Sequence, residues 1–508
     1  MKERLYPVGQ QDFPAIINEG KVYVDKTMHA LNIIKTSKYN FLSKPRRFGK
    51  SLFISTLESI FKGQKALFEG LYIYDKWDFE EYPVIRISFN TLSYENNKLE
   101  ETLKRTLQAI GESYFLSLQK TDLKGLFKEL IAELNEKYNK RVVILIDEYD
   151  KPIIDYLDKE NIHKALENRN VMKTFYAILK DAEPHLKLVF ITGVSKFTKV
   201  SIFSDLNNLT DLTIHPDYNE ICGISQKELE VNFDEELKLY DKEKIKQWYN
   251  GYKWDLGGDT VYNPFSLLSF FHNKGKFQNF WYTSGTPSFL MKMCRENHFY
   301  KFDQVSIHAA DIGNFDIENL KIIPVLFQTG YLTVIKADIL NSYVLSFPNL
   351  EVRESYLRNL ADTYINSDVI SSTNILQGIL KSLQAQDKDL LKSAINQAFA
   401  QIPYSLWIAE KEKFYHAIVH LLFSLLGVYI FSEVHTQKGR ADAVIIYEDQ
   451  LYCLEFKLDK SAAEAILQIE TKAYTERFQN AGKTVHHIGI NFSSEQREVD
   501  DLAWMVNE

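Results

Sequence analysis

A basic stretch near the N-terminus combines the residue types that phosphate binding requires. Residues 44–51 read KPRRFGKS and stand between an apolar residue pair and a predicted amphipathic helix. In a P-loop, backbone N–H groups and a helix N-terminus surround a phosphate, the lysine reaches the β- and γ-phosphates, and the next hydroxyl holds Mg²⁺. Gly49, Lys50 and Ser51 fit this pattern, whereas Lys44 stands where the first glycine belongs. The alternative for this stretch is a basic turn that caps a helix.

Arg46 and Arg47 place two cations in the same loop. Arginine suits bidentate contact with phosphate, so we expect both, together with Phe48, to lie in the nucleotide site. The phosphate could belong to this chain's own ATP. It could also belong to a neighbouring subunit of a homo-oligomer, in which case an arginine would act as an arginine finger. The alternative is loop charge that faces solvent.

A second stretch supports a nucleotide site. Residues 141–150 read RVVILIDEYD, an apolar and mostly β-branched run that ends in Asp147 and Glu148. Such a run is typical of a buried parallel strand, and carboxylates at its C-terminal end lie where open α/β sheets bind ligands. In this Walker B pattern Asp147 is expected to hold Mg²⁺ and Glu148 to polarise the attacking water. The alternative is a strand that ends in a solvated acidic turn.

The apolar strand predicted at residues 187–193 ends in polar residues. This strand is the expected neighbour in an ATPase sheet, and a hydroxyl at its tip can sense the γ-phosphate. Thr192 is the first candidate and Ser195 the second. The alternative is a strand-end threonine that caps a turn.

Three charged residues near the C-terminus converge if two predicted strands form a hairpin. With Glu448 and Asp449 as a two-residue loop, Asp442 lies directly opposite Glu455, and Lys457 projects from the same face. Like charges that face each other in a sheet are destabilising, so the two carboxylates favour a bound cation. Carboxylates and phosphate oxygens suit Mg²⁺, and Mn²⁺ is an alternative at this site. The pattern is that of metal-dependent nucleases, in which the metal activates water and the lysine stabilises developing charge.

The charge of the surrounding segment opposes easy nucleic-acid binding. Residues 401–508 contain ten Lys and Arg against sixteen Asp and Glu, whereas phosphate contacts come from Lys and Arg. Three explanations stay open: the basic surface lies on another domain, the substrate is small or unusual, or the site is degenerate.

Length and composition place these motifs in a multidomain α/β protein. The 508 residues exceed one domain, and strands separated by helices predict a parallel sheet with helices on both faces. We expect an ATPase domain over residues 1–220, a helical lid or coupling region over 221–400, and a nuclease-like domain over 401–508. The three cysteines are far apart, and no apolar run matches a membrane span or a signal peptide. A cytoplasmic location without membrane attachment is therefore expected.

The positions of individual elements follow from apolar periodicity. A short strand is expected over residues 21–27, where it enters a helix, and Gly125 suits the break between helices near residues 99–118 and 126–138. The C-terminal segment predicts the order α-β-β-β-α-β, with its final strand at residues 485–491. Aromatic stretches over residues 248–287 could stack bases, but packing in a core is favoured.

The chain resembles the bacterial AAA-ATPase-like proteins that carry a C-terminal PD-(D/E)XK nuclease domain. The resemblance covers nearly the whole chain and rests on many stretches: YVDKT (23–27), PRRFGKS (45–51), LIDEYDKP (145–152), NNLTDLT (207–213), NGY (250–252), YNPFS (262–266), FYH (414–416), GRAD (439–442) and EFK (455–457).

The resemblance implies ATP binding by the P-loop and a restriction-endonuclease-like C-terminal fold. It also implies that Lys44 in place of glycine is usual. In related nuclease folds a helix glutamine follows the Glu-x-Lys strand, and Gln468 fits that place. A glutamate on the first helix often joins the metal site, with Glu412 as the nearest candidate and Glu433 as the second. The domain pairing suggests defence against phage or handling of mobile DNA.

These observations favour an ATP-dependent or ATP-regulated nuclease that acts on nucleic acid, with DNA favoured over RNA. The rival hypothesis is a nucleotide-switched scaffold that binds nucleic acid or protein and whose nuclease domain is degenerate. The acidic C-terminal segment favours the rival, and the triad of Asp442, Glu455 and Lys457 favours the enzyme.

Overall fold

The computed structural model of this chain contains two compact units. It describes residues 4–507 apart from 95–97, 159, 197–201, 204–205, 207, 255–256, 282–289, 292, 295–303, 314–316, 318, 338–341, 365–370, 403–411, 428, 433–434, 437–438, 448 and 476–481. The first unit spans residues 1–284 and 302–352, and the second spans 285–301 and 353–508. Asn207 and Glu433, which carried sequence-based expectations, lie outside the described residues.

A five-stranded parallel sheet forms the centre of the first unit. Its strands, in spatial order, are Val84–Ser88, Val142–Asp147, Leu186–Gly193, Tyr39–Ser43 and Thr210–Asp211. The strand Leu186–Gly193, the expected neighbour, contains Thr192 and lies between the P-loop strand and the Walker B strand. Because the three strands are parallel, their C-terminal ends lie at one edge of the sheet, where such sheets bind ligands.

Helices surround this sheet. The α-helices of the first unit are Phe13–Asn18, Thr27–Thr36, Lys50–Phe61, Leu99–Ser113, Leu123–Tyr138, Lys151–Ile154, Ile162–Asp181, Gln226–Asn232, Asp234–Leu237, Lys242–Tyr249, Pro264–His272, Ala309–Ile312 and Ile322–Gln328. Short 3₁₀ turns occur at Lys65–Phe68, Phe89–Thr91, Glu183–His185 and Pro216–Tyr218.

The middle of the chain contains small sheets as well as helices. Val305–His308, Ser342–Ser346 and Thr333–Ala337 form an antiparallel sheet in that order, and Ile224–Ser225 pairs with Val261–Tyr262. The aromatic residues of this region are mostly core: Tyr249, Tyr252, Trp254, Tyr262 and Trp281 are all buried.

The second unit contains a mixed five-stranded sheet. In spatial order its strands are Tyr429–Ser432, Ala443–Tyr447, Gln450–Leu458, Thr484–Ser493 and Glu498–Asn507. A two-stranded ribbon pairs His435–Thr436 with Gly439–Arg440. The α-helices are Leu350–Tyr364, which begins in the first unit, Ser371–Ala385, Lys388–Phe399, Glu412–Leu425 and Ala462–Lys472.

Three local predictions were wrong. Residues 21–26 form no strand before the helix at Thr27. Gly125 lies inside the helix Leu123–Tyr138, because Asp122 accepts a hydrogen bond from the Gly125 N–H at 2.8 Å and caps the helix, which begins three residues earlier than predicted. The strand Thr484–Ser493 is followed by a further strand, Glu498–Asn507, whose acidic residues obscured its apolar alternation.

No helix among the described residues is long and apolar enough to cross a membrane.

Candidate nucleotide and metal sites

The loop between the strand Tyr39–Ser43 and the helix Lys50–Phe61 has the backbone of an anion site. Arg47 and Gly49 adopt positive φ values of 64° and 94°, and the helix begins at Lys50. Successive N–H groups in such conformations, followed by a helix N-terminus, form a concave site for phosphate. This arrangement favours a P-loop over a helix-capping turn.

Lys50 is buried and held by the loop itself. Its ammonium donates to the carbonyl oxygens of Lys44 at 2.8 Å and Pro45 at 2.9 Å. A phosphate in the loop would compete with these carbonyls for the same ammonium.

Lys44, the residue that replaces the first motif glycine, is buried beneath the loop. Its ammonium lies 3.7 Å from the centre of the Trp254 ring and donates to the Thr213 carbonyl at 3.1 Å. Burial lowers the pKa of Lys44 to about 7, although Cys222 and Asp211 nearby act in the opposite direction. Lys44 thus anchors the start of the P-loop to Trp254 and does not line the cavity described below.

This lysine is expected to make stability depend on pH. In the folded chain Lys44 releases its proton near pH 7, whereas an unfolded lysine holds it to about pH 10.5. Because the unfolded state binds more protons between about pH 7 and pH 10.5, the free energy of unfolding rises as the pH rises through this range. Lys44→Met should remove this gain, which urea unfolding at about pH 6 and about pH 9 would measure. The exposed Lys35→Met is the control. An equal change with pH in wild type and Lys44→Met would contradict the prediction.

Residues Arg46 to Phe48 are tied to other parts of the first unit. The Trp281 indole N–H donates to the Arg46 carbonyl at 3.0 Å. The Arg47 guanidinium lies 4.0 Å from the centre of the Phe265 ring. Phe48 is buried and meets the rings of Tyr252 and Trp254 edge-on. Arg46 and Arg47 line the cavity, whereas the Phe48 side chain anchors the loop in the core.

Gly330 packs against the P-loop residue Pro45. It has a φ of 88°, and a Cβ atom on it would lie 2.5 Å from the Pro45 side chain. Gly330→Ala is therefore expected to lower the free energy of unfolding by about 1–3 kcal/mol, measured by urea unfolding. Gly313→Ala is the matched control, since Gly313 has an ordinary φ of −89° and open space at its Cβ. Equal stability of the two variants would contradict this account of Gly330.

The Walker B carboxylate is held by the neighbouring strand. Asp147 is buried, and the Thr192 hydroxyl donates to its Oδ1 at 2.6 Å. Thr192 thus orients Asp147, and contact of Thr192 with a γ-phosphate stays a prediction. Ser195 instead belongs to a second buried group, in which its hydroxyl and N–H both donate to Asp150 at 2.7 and 2.6 Å.

Glu148 differs from Asp147 in its backbone conformation. It has a positive φ of 53°, a conformation uncommon outside glycine. Burial raises the pKa of Glu148, while Lys50 opposes that shift and Asp147 adds to it. A carboxylate with a raised pKa beside a phosphate-binding lysine is suited to accepting a proton from water.

A cavity of about 410 Å³ lies at the P-loop and Glu148, and Asp147 and Thr192 are not among its described lining residues. It is lined by Lys50, Ser51, Arg46, Arg47, Gly49 and Glu148, and also by Gln10, Gln11, Asn90, Lys151, Pro264 and Phe265. Gln10, Gln11 and Asn90 lie outside the sequence motifs. Lys151, Pro264 and Phe265 fall inside the stretches LIDEYDKP and YNPFS that carry the family resemblance, but no role in the site was assigned to them. The volume is in the range of small-molecule sites.

The C-terminal residues form a separate cluster. The strands Ala443–Tyr447 and Gln450–Leu458 pair with Tyr447 opposite Gln450 and Ala443 opposite Leu454, the register that the hairpin predicted. Asp442 is the residue next beyond this ladder, and its Oδ2 accepts the Phe456 N–H at 2.8 Å.

Glu455 Oε1 accepts hydrogen bonds from two other residues of this cluster. The Lys457 ammonium donates to it at 3.0 Å, and the Gln468 amide also donates to it. Lys457 in turn donates to Gln468 Oε1 at 2.8 Å. Tyr474, which the sequence motifs did not indicate, joins the cluster because the Gln468 amide donates to its hydroxyl at 3.1 Å.

The second carboxylate oxygen of Glu455 is buried and has no hydrogen-bond partner. Burial and the nearby charge of Asp442 raise the pKa of Glu455 to about 7, although Lys457 acts in the opposite direction. His416 lies on the other side of Asp442, with Nδ1 3.8 Å from Oδ1. A buried, unpaired carboxylate oxygen beside a second carboxylate fits a divalent cation, for which it would be a ligand.

Protein ligands alone do not complete a metal shell here. Within the described part of the chain, no group of three or more His, Cys, Asp or Glu side chains could hold a metal ion. Among the described residues, Asp442 and Glu455 would be joined by phosphate oxygens or water as further ligands, as the sequence pattern predicts. The Glu412 side chain and Glu433 lie outside the described residues.

Comparisons with known proteins find a family match over each of the two segments that contain these sites. The family described as predicted AAA-ATPase matches residues 7–203, and the PD-(D/E)XK nuclease superfamily matches residues 410–502. The protein named "Uncharacterized protein in vnfD 5'region" from Azotobacter chroococcum mcd 1 is 35% identical over 98% of both chains. The chain belongs to the AAA-ATPase-like proteins with a C-terminal PD-(D/E)XK nuclease domain. No solved structure matches it.

Membership of this AAA-ATPase-like family agrees with the position of each cluster. The P-loop and Walker B residues fall inside the matched ATPase segment, and Asp442, Glu455, Lys457 and Gln468 fall inside the matched nuclease segment. Nucleotide-linked and nuclease chemistry are therefore the activity classes that the domains suggest.

Proposed function

We propose that this AAA-ATPase-like protein hydrolyses ATP and cleaves nucleic acid with a divalent cation, and that ATP binding regulates the cleavage. The observation that carries the nuclease proposal is the orphaned Oε2 of Glu455, buried beside Asp442. A buried carboxylate oxygen without a hydrogen-bond partner costs stability, and a buried carboxylate with a raised pKa beside a second carboxylate is typical of a functional site.

At the nuclease site each side chain has a role that its contacts support. Asp442 and Glu455 would hold Mg²⁺ or Mn²⁺, which when bound lowers the pKa of a water molecule. The Lys457 ammonium, already 3.0 Å from Glu455, is suited to stabilise charge that develops on a phosphate. The Gln468 amide bonds both Glu455 and Lys457 and therefore orients them.

At the nucleotide site ATP is the proposed substrate. Lys50 and the loop N–H groups would bind its phosphates, with Arg46 and Arg47 at the cavity wall. Ser51 and Asp147 would hold Mg²⁺, and Thr192 keeps Asp147 in position. Glu148 would accept a proton from the attacking water, a role that its raised pKa favours.

The substrate is expected to be DNA rather than RNA, in defence against phage or in the handling of mobile DNA. This role rests on the pairing of the two domains. Homo-oligomers and a cytoplasmic location stay predictions from sequence, as does the division into segments 1–220, 221–400 and 401–508.

Pure protein should be incubated with single- and double-stranded DNA and RNA, with and without Mg²⁺, Mn²⁺ and ATP. We expect metal-dependent cleavage of at least one DNA form and a changed rate when ATP is added. The acidic balance of residues 401–508 favours the second candidate, a nucleotide-switched scaffold. ATP binding without cleavage of any strand type, and without metal binding at Glu455, would support that candidate.

A further inference from the structure

The chain passes three times between the P-loop unit and the nuclease-bearing unit. The P-loop is hydrogen-bonded to Trp281, which precedes the first of these crossings, and through Trp281 to Glu351, which precedes the last. The chain leaves the first unit after Ser284, returns at Phe302, and leaves again after Val352. Trp281 lies just before the first departure. Glu351 lies just before the last one, in the first turn of the helix Leu350–Tyr364, whose residues from Arg353 on belong to the second unit.

A first set of hydrogen bonds runs from the P-loop to this helix. The Trp281 indole N–H donates to the Arg46 carbonyl at 3.0 Å. The backbone N–H groups of Phe280 and Trp281 both donate to the Glu351 carboxylate, at 2.7 and 2.9 Å. Glu351 is fully buried. The buried Glu351 carboxylate therefore connects Phe280 and Trp281 to the helix Leu350–Tyr364. Trp281 also bonds the P-loop backbone at Arg46.

A second set of contacts reaches the same helix by another path. The Phe48 ring packs edge-on against Tyr252 at 4.7 Å between centroids. Two residues earlier, the Asn250 carbonyl accepts the Asn349 amide at 2.8 Å, and Asn349 Oδ1 accepts the Val352 N–H at 3.0 Å.

The chain between these contacts is closely packed. Gly251 has a φ of 105°, and a Cβ atom there would lie 1.9 Å from the Pro348 carbonyl oxygen. Both paths are thus built from buried, directly bonded or packed groups within the first unit, and both end in the first turn of one helix.

The Lys50 ammonium is the group through which bound phosphate would act on the loop. It donates to the Lys44 and Pro45 carbonyls, next to the Arg46 carbonyl that accepts the Trp281 indole N–H. Bound phosphate would draw the ammonium toward itself and change the partners of this backbone. Any movement of the Arg46 carbonyl acts on Trp281, and through Trp281 on Glu351.

We infer that Trp281 and Glu351 couple nucleotide binding at the P-loop to the helix Leu350–Tyr364, and so regulate the nuclease-bearing unit. This inference rests on the proposed function, because it assumes that ATP binds the P-loop and that ATP changes cleavage. Trp281 and Glu351 are positioning residues: neither is in the set that lines the nucleotide cavity.

The test compares Trp281→Phe with Trp248→Phe, the same substitution at a half-buried tryptophan that packs in the core without these bonds. Amide hydrogen exchange is measured with and without a slowly hydrolysed ATP analogue. Wild type and Trp248→Phe should show slower exchange both in residues 44–51 and in residues 350–364, by at least about fivefold. Trp281→Phe should keep the first change and lose the second. Glu351→Ala, which removes the acceptor of the Phe280 and Trp281 N–H groups, should behave like Trp281→Phe and give the independent second variant.

The outcomes separate the inference from the proposed function. If the analogue slows exchange at residues 44–51 but never at 350–364, or if Trp281→Phe and Glu351→Ala keep both changes, the inference is overturned while ATP binding stands. If the analogue changes neither segment in wild type, the proposed nucleotide site fails and the inference fails with it. Loss of the ATP effect on cleavage in Trp281→Phe, with ATP affinity and ATP-free cleavage kept, would support the coupling. If Trp281 had only a structural role, its replacement would not remove the ATP effect on cleavage while leaving ATP affinity and ATP-free cleavage unchanged.

Discussion

Replacing Glu455 by glutamine is expected to lower metal-dependent cleavage by at least about 100-fold, because removal of a direct metal ligand should exceed the loss caused by outer partners. Glutamine keeps the shape and an acceptor for Lys457 and Gln468 but removes the charge beside Asp442. Cleavage rate with Mg²⁺ and with Mn²⁺ is the measurement.

The same variant should not lose stability when metal is absent. Burial and Asp442 both disfavour the charged form of Glu455, so its neutral replacement should leave the free energy of unfolding in chelator unchanged or higher by about 1 kcal/mol. Lys457→Ala should also stop cleavage but keep metal binding. Glu498→Gln, an exposed glutamate of the same sheet, is the control. Full cleavage by Glu455→Gln would remove this residue from the site.

Replacing Lys50 by alanine is expected to weaken ATP binding by about 1.5–3 kcal/mol, or roughly 10- to 150-fold in Kd, the range for hydrogen bonds to a charged group. Calorimetric titration with Mg²⁺-ATP measures this. Lys62 follows the C-terminal end of the same helix and is exposed, so the control variant Lys62→Ala should bind ATP like wild type. Equal affinity of Lys50→Ala and wild type would contradict the P-loop assignment.

Glu148→Gln separates binding from hydrolysis at this site. It keeps the shape of the side chain but removes its basicity, so ATP should bind normally while turnover falls by about 10²–10⁴-fold, the usual contribution of a general base. Undiminished turnover would exclude Glu148 from that role.

Local sequence patterns predicted the elements that carry the chemistry. The apolar run before Asp147, the apolar strand that ends in Thr192 and the residues 44–51 are each continuous in sequence, and the parallel sheet brings them together as expected. The hairpin register at Asp442 and Glu455 was predictable because a two-residue loop determines which residues pair. The place of Gln468 came from family resemblance, and the structure adds its bonds to Glu455 and Lys457.

Contacts between distant residues could not be predicted in this way. Lys44 was judged only as a missing glycine, because its ring partner Trp254 lies about two hundred residues further along the chain. The bond between Trp281 and Arg46 is equally remote, so the aromatic region gave no sign that it supports the P-loop. The strand Glu498–Asn507 was missed because acidic residues stand within it, and Gly125 misled because the Asp122 cap outweighs the low helix propensity of glycine.

The central claim is that nucleotide at the P-loop regulates cleavage at Glu455. The most direct measurement is the rate of Mg²⁺-dependent DNA cleavage as ATP is titrated, in wild type and in Lys50→Ala. We expect a saturable change of rate with ATP in wild type, no such change in Lys50→Ala, and no cleavage by Glu455→Gln at any ATP concentration. The same ATP response in wild type and Lys50→Ala, or cleavage by wild type that does not respond to ATP, would contradict it.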